Sequence, residues 1–245
     1  MNAVAPAPAN PVMTKRQIML VIVGLMAGMF LSALDQTVVS TSMRTIADDL
    51  DGMALQAWVT TAYMILSTIS TPLYGKLSDI FGRRLLFIIA IVLFLIGSLL
   101  AGTAQTMYEL AAYRAIQGLG AGGLMALPLA IMGDMLAPRE RAKYQGYFLA
   151  VFGVSSVIGP LIGGLFAGSP QILWIEGWRW VFLINLPIGL VALAFVLRFL
   201  HLPRHPHAVR IDWWGAALVI GATTPLLLVA EQGREWGWLS PISLA

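Results

Sequence analysis

Long stretches without a charged residue decide most of what this 245-residue chain can become. Eighteen uncharged residues separate Arg16 from Asp35, 24 separate Asp51 from Lys76, 24 separate Arg84 from Glu109, and 19 separate Arg114 from Asp134. Another 32 follow Lys143, and the intervals Arg179–Arg198 and Asp212–Glu231 hold 18 each. A helix crosses the hydrocarbon of a bilayer with about 20 mainly apolar residues. Inside that hydrocarbon every backbone polar group must be satisfied within the protein, so each run reads as a helix. We expect seven spans, near 17–40, 55–75, 85–104, 107–131, 144–167, 179–200 and 212–231. With 58% hydrophobic and 11% charged residues, the composition excludes an ordinary soluble domain. The fold class is an all-α membrane protein.

The net charge of +3 is no sign of nucleic-acid binding, because the basic residues sort by side. Lys15, Arg16, Lys76, Arg83, Arg84, Arg139, Arg141, Lys143, Arg198, Arg204 and Arg210 fall on the amino-terminal side of the alternating spans. Arg44, Arg179 and Arg234 fall opposite, and Arg114 lies within a span. Loops rich in Lys and Arg stay in the cytoplasm, so a bias of eleven to three places the amino terminus there. Lys15-Arg16 before an apolar run imitates a signal peptide, but six further runs follow, and an uncleaved first span is expected. The chain has no Cys, which removes disulfides and thiolate sites. His201 and His205 are four apart, but Pro203 and Pro206 break the helix that a metal site would need; a solvated linker is expected and no metal.

Charges that interrupt this pattern are the informative ones. Asp35 sits in Leu34-Asp35-Gln36-Thr37-Val38-Val39-Ser40-Thr41, toward the outer end of the first span. A carboxylate at a helix centre costs about 2.5–3.5 kcal/mol on insertion scales. Either the helix ends early and Asp35 is interfacial, or it faces a bundle interior or aqueous cavity. Thr37 and Thr41 extend a polar stripe, which favours a cavity wall. Arg114, in Leu110-Ala111-Ala112-Tyr113-Arg114-Ala115-Ile116-Gln117-Gly118-Leu119-Gly120-Ala121, lies too deep to reach the headgroups. It is a structural strut or a partner to an intramembrane acid, and Gln117 shares its face. Asp48, Asp49 and Asp51 read as a solvated outer loop, and the second and third spans as scaffold.

Between those two spans lies Gly75-Lys76-Leu77-Ser78-Asp79-Ile80-Phe81-Gly82-Arg83-Arg84. Gly75 and Gly82 permit tight backbone approach, and Asp79 and Arg83 stand at pairing distance on one turn. Asp134 is placed to meet Arg83 or Arg84. The fifth span carries Gly146, Ser155 and then Gly159-Pro160-Leu161-Ile162-Gly163-Gly164. Pro160 should kink it, and the small residues form a groove for another backbone. Trp178-Arg179-Trp180-Val181-Phe182-Leu183-Ile184-Asn185-Leu186-Pro187 opens the sixth span, with Trp residues suited to the interface. Met26 and Met29 suit an adaptable apolar pocket or plain packing.

Four of these runs, in this order, resemble motifs of the major facilitator superfamily, and the first and sixth resemble its fourteen-span drug/proton antiporter branch. Ile80 stands where that family usually has a base, and Ser155 where it usually has glycine. The resemblance implies the major facilitator fold: a six-helix amino-terminal half at 17–200 and a seventh span at 212–231. A cytoplasmic tail at 1–16, a linker at 201–211 and an outer segment at 232–245, starting a further span, complete the division. It implies a proton-coupled antiporter of the plasma membrane that exports drugs or other small amphipathic compounds. Asp35, Arg114 and Gln117 would couple proton and substrate; Gly75, Asp79, Gly82 and Arg83 would form the inner gate. Gly146, Ser155, Gly159, Pro160, Gly163 and Gly164 would form the antiporter helix. The partners are a small-molecule substrate, protons, the lipid bilayer and a missing carboxy-terminal half. No cofactor is implied, and no nucleophile–base pair or phosphate loop points to an enzyme. The alternatives are a metabolite or nutrient transporter of the same superfamily and a truncated, non-transporting membrane module.

Overall fold

The computed structural model describes residues 14–200 and 213–236. Five long helices come first: α1 (Lys15–Asp49), α2 (Gln56–Phe81), α3 (Arg83–Ala101), α4 (Met107–Met135) and α5 (Pro138–Ala167). A two-stranded hairpin, β1 (Gln171–Ile172) with β2 (Ile175–Glu176), leads into a 3-10 turn at Gly177–Arg179. The sixth passage is broken into α6 (Trp180–Leu183) and α7 (Asn185–Phe199), and α8 (Trp213–Trp236) follows. By length and apolarity, 15–49, 83–101, 107–135, 138–167 and 177–199 can each cross a membrane. Among the described residues, α2 is not in that group. In α2 the reason is its content of Thr60, Thr61, Ser67, Thr68, Ser70 and Thr71. The linker histidines lie outside the described residues, as does most of the outer segment.

Local signals set the helix ends. Thr14 caps α1 by accepting the Gln17 amide while Gln17 returns a bond to Thr14. Thr106 caps α4 through the Glu109 amide, and Pro138 occupies the first turn of α5. Several helices outrun the apolar intervals, because capping and packing, and not hydropathy, end a helix. Asp48 and Asp49 therefore belong to α1 and not to a loop. Lys76, Ser78 and Asp79 belong to the last turns of α2, leaving Gly82 alone between α2 and α3.

Two neighbourhoods make the bundle: α4 packs between α2 and α3, while α1 packs on α5, α7 and α4. The backbones of α4 and α2 run so close that a Cβ on Gly118 would lie 2.5 Å from the Tyr63 carbonyl oxygen. The core forms two apolar clusters. The inner one includes Ile22, Leu25, Phe87, Phe94, Leu124 and Ala192; the outer one includes Leu34, Val38, Ile46, Val59, Met107 and Phe182. Between them lies a polar layer to which five helices contribute.

Candidate functional site

That layer is built around Asp35. With α1 running from 15 to 49, the residue is near the middle of its helix, so the interfacial alternative is removed. Its side chain is 0% exposed and that of Arg114 2%. Arg114 Nη1 donates to Asp35 Oδ2 at 2.5 Å and to Gln117 Oε1 at 2.8 Å. Gln117 Nε2 donates to Asp35 Oδ1 at 2.9 Å, so the one turn separating Arg114 from Gln117 closes a ring on both carboxylate oxygens. Asn185 Nδ2 adds a third donor, 2.7 Å from Asp35 Oδ1. The same amide donates to Ser98 Oγ at 2.9 Å, and Ser98 donates to the Phe182 carbonyl at 2.8 Å.

Arg114 lies over the ring of Tyr63, its Cζ 3.9 Å from the centroid. Tyr63 in turn shares a 3.1 Å hydrogen bond with Ser32. One carboxylate thus ties together α1, α4, α7, α3 and α2. The arrangement can hold a negative charge in a dry interior, because the charge is paired and its oxygens each have donors. Two atoms beside it have no partner: Arg114 Nε and Asn185 Oδ1.

Asp35, Arg114 and Gln117 are brought together as expected, but the Thr stripe is not part of their wall. Thr37 Oγ1 bonds the Ala33 and Leu34 carbonyls and, at 3.1 Å, the Ser155 carbonyl of α5. Two residues along a helix turn the side chain by about 200°, so Thr37 faces α5 while Asp35 faces α4 and α7. Reading the second and third spans as plain scaffold missed Tyr63 and Ser98. Asn185 was missed too, since a neutral amide near a helix start costs little and raises no alarm. Its signal was the sequence Asn185-Leu186-Pro187: Pro187 cannot donate a helix hydrogen bond, and the passage breaks at Ile184 beside it.

Where α2 meets α3, Arg83 gathers the residues expected to form a gate. Its Nη2 meets Asp79 Oδ1 at 2.6 Å, its Nε meets Asp134 Oδ2 at 2.9 Å, and its Nη1 donates to the Gly75 carbonyl at 3.2 Å and to Ser78 Oγ. Asp134 therefore meets Arg83; Arg84 turns instead to the Leu197 carbonyl of α7, at 2.6 Å. Gly82 has φ 97°, a conformation that L side chains rarely adopt, and this is what lets one residue join α2 to α3. Gly75 is different. Nothing lies within 4 Å of where its Cβ would be, so it serves through its carbonyl and not through close approach.

The fifth-helix residues also divide. Buried Val151, Ser155, Gly159 and Gly163 recur every four residues and form the seam with α1. A Cβ on Gly159 would collide with Thr37, and one on Gly163 would lie 2.8 Å from the Val38 carbonyl oxygen. Ser42 Oγ donates to the Gly163 carbonyl at 3.0 Å across the same seam. Gly146 and Gly164 face open space in this bundle and lie outside that seam. Pro160 lies on the exposed side and does not interrupt the helix. Met29 is buried core, whereas Met26 lines an apolar cleft of ≈ 330 Å³ with Val23, Phe30, Tyr147 and Val154.

At the end of the bundle where α3 meets α4, Trp178 is buried within the protein, and its Nε1 donates to Asp49 Oδ2 at 2.7 Å. Arg179 stacks on Trp178 and donates to the Gly102 and Ala104 carbonyls at 3.0 and 2.7 Å. Asp49 therefore accepts a structural hydrogen bond at the end of α1 while staying exposed to solvent. Among the described residues, no three His, Asp or Glu side chains gather as a metal site would require.

The sequence matches the family profile described as Major Facilitator Superfamily over residues 25–242. It is 41% identical to "Multidrug resistance protein 3" of Bacillus subtilis over 90% of this chain and 42% of that one. It is 39% identical to "Multidrug transporter protein MdtP" of the same organism, over 89% of this chain and 40% of that one. "Efflux pump FUS6" of Gibberella fujikuroi is 36% identical over 92% and 41%. The chain thus spans about two fifths of the length of these curated relatives. Among solved structures, a bacterial homolog of the human lysosomal transporter Spinster superposes with TM-score 0.68 at 22% identity, over 92% of this chain and 50% of that one. The proton:xylose symporter XylE, known from E. coli, gives TM-score 0.68 at 19% identity, over 92% and 55%.

Proposed function

This chain belongs to the Major Facilitator Superfamily, and on that premise we propose that it forms the amino-terminal half of a proton-driven antiporter. Its cargo would be drugs or other small amphipathic compounds. Relatives named multidrug resistance protein and efflux pump support the cargo class. The observation that carries proton coupling is the carboxylate of Asp35, buried and held by Arg114, Gln117 and Asn185. A proton arriving on Oδ1 or Oδ2 displaces one of those donors and cancels the charge that attracts Arg114. The ties from α1 to α4 and α7 weaken together, and the helices are freed to shift. Loss of the proton restores the ties. Coupling needs only that the two arrangements open the cavity to opposite sides of the membrane.

Arg83 with Asp79, Asp134 and the Gly75 carbonyl would close the inner side in one of the two states, and Gly159 and Gly163 would seat α5 on α1. The apolar cleft beside Met26 offers one wall of a substrate surface. The division into a half at 17–200, a linker at 201–211, a seventh span at 212–231 and an outer segment at 232–245 belongs to the same reading. So do the plasma membrane and a cytoplasmic amino terminus, which rest on the eleven-to-three distribution of Lys and Arg. The test is flux in vesicles containing the whole carrier. Substrate moved one way should drive protons the other way. Protons moving with the substrate would make the protein a symporter, and substrate movement without proton flux would remove Asp35 from coupling.

A further inference from the structure

The β1–β2 hairpin does something its sequence should not allow in water. Its register pairs Gln171 with Glu176 and Ile172 with Ile175, leaving Leu173 and Trp174 as a two-residue turn. Both have positive φ, 50° and 63°. A turn that needs positive φ at both central residues is met elsewhere by Asn-Gly or Asp-Gly, which tolerate that backbone and like solvent. Here it carries a branched apolar side chain and an indole. They are the wrong residues for the backbone, and the wrong ones for water. Leu173 is 67% exposed and Trp174 92% exposed within this bundle.

The position of the hairpin is fixed at its root. Arg179 donates to the Gly102 and Ala104 carbonyls just beyond the outer end of α3. The 19 residues of α3 give a length of about 28 Å, close to the roughly 30 Å thickness of the hydrocarbon. Glu176 pairs with Arg179 at 2.6 Å, and Trp180 Nε1 donates to the Ile172 carbonyl at 2.9 Å, which clamps both strands to that root. The three residues from Gly177 back to Trp174 reach no more than about 10 Å at about 3.3 Å each. The tip therefore lies within about 10 Å of Gly177, close to a headgroup layer that is about 5–7 Å thick beyond the hydrocarbon. Two further exposed aromatics mark the same end: Trp58 in the first turn of α2 and Tyr108 in the first turn of α4. Trp and Tyr concentrate where headgroups meet acyl chains. The side of α5 leading to the hairpin is apolar and open, with Leu161 and Leu165 exposed.

We propose that the Leu173–Trp174 tip is a lipid anchor, seated in the headgroup–acyl boundary of the outer leaflet, which holds the junction of α5 and α6 at fixed depth. Its occupant is the bilayer interface, and the anchoring does not depend on what the carrier transports. The strain at the turn is offset by moving an indole and an isobutyl group out of water.

The chain has no Cys, so Trp174→Cys supplies a single thiol for a spin label. The whole carrier, with any thiol beyond these 245 residues replaced by Ser, is placed in phosphatidylcholine nanodiscs. Collision rates are then measured with oxygen, which concentrates in lipid, and with a water-soluble nickel chelate. The expected oxygen-to-nickel ratio is roughly threefold or more above that of a label at Gln105→Cys, an exposed outer-turn position. A ratio equal to that of Gln105 means the tip stands in water and overturns the proposal. Low collision with both reagents means the tip packs on protein and overturns it equally. A second variant guards against misfolding. Leu173→Asn with Trp174→Gly suits both φ values, so the hairpin should form. A label at Gln171→Cys should then lose nickel protection relative to the same label beside the native tip. Unchanged protection would show that Leu173 and Trp174 do not set the depth.

Discussion

Two charged sites of this chain use the same chemistry in opposite surroundings. Midway along the bundle, Arg114 meets Asp35 with both side chains almost wholly excluded from solvent. Where α2 meets α3, Arg83 meets Asp79 and Asp134, whose side chains are 41% and 49% exposed. The distances, 2.5 Å against 2.6 and 2.9 Å, hardly differ. Solvent makes the difference. Removing one partner of a buried pair costs about 3–5 kcal/mol, because the other charge is stranded. An exposed pair is worth about 0–1 kcal/mol, because water and salt replace the lost partner. The cluster at Arg83 would therefore form and part at little expense in the proposed cycle. The buried one can part only if its charge changes first. A group that must be neutralised before it lets go is suited to tie proton movement to helix movement, and one that lets go freely is suited to be a latch.

The largest effect should come from breaking the buried side. In the whole carrier, Asp35→Asn should abolish proton-driven accumulation of substrate in vesicles. One charge crossing the field is worth about 2.3 kcal/mol per 100 mV, and that contribution disappears with the carboxylate. The variant should also lose stability, since Arg114 is left without its counter-ion. Asp35→Asn with Arg114→Gln removes both charges and should recover the thermal midpoint without recovering accumulation. Accumulation at the wild-type level in either variant would exclude Asp35 as the coupling group.

The next effect separates two glycines that look alike in sequence. Gly159→Leu should impair assembly strongly, because Thr37 already fills the space where its Cβ would go. Gly164→Leu should be tolerated, as nothing lies within 4 Å of that position. Folded yield and thermal midpoint after detergent extraction measure both. Equal losses would mean that α5 does not dock on α1 through Gly159.

These contrasts also show what the sequence could disclose. Asp35 and Arg114 were legible because a charge inside an apolar run is expensive and must have a partner. Gln117 was legible because it stands three residues from Arg114. Asn185, Ser98, Tyr63 and Ser32 complete the same network but are neutral, so no anomaly in hydropathy marks them, and their meeting depends on packing among five helices. On α5 the seam was legible only in part. Nine residues separate Gly146 from Ser155, which is two and a half helical turns, so the two point to opposite sides. Adjacent Gly163 and Gly164 differ by about 100°. Glycine spacing alone does not say which side meets α1. The helix ends were misjudged for a related reason: caps and tertiary contacts, unlike the apolar interval, carried α1 on to Asp49 and α2 to Phe81.

The smallest expected effect tests the exposed side of the comparison. Asp79→Asn removes one carboxylate from Arg83 but leaves Asp134, Ser78 Oγ and the Gly75 carbonyl as acceptors. With at most about 1 kcal/mol at stake, the balance between states should shift by no more than about fivefold. Insertion and thermal midpoint should stay unchanged while the turnover rate moves. Salt supplies a second handle. The Debye length falls from about 30 Å at 0.01 M to about 3 Å at 1 M, so salt should move the wild-type rate toward that of Asp79→Asn. It should leave the effect of Asp35→Asn untouched, because that carboxylate is shielded from ions by the protein itself. If salt altered the Asp35→Asn defect as much as the Asp79→Asn one, the buried site would have to be open to water during the cycle, and the distinction between coupling group and latch would collapse.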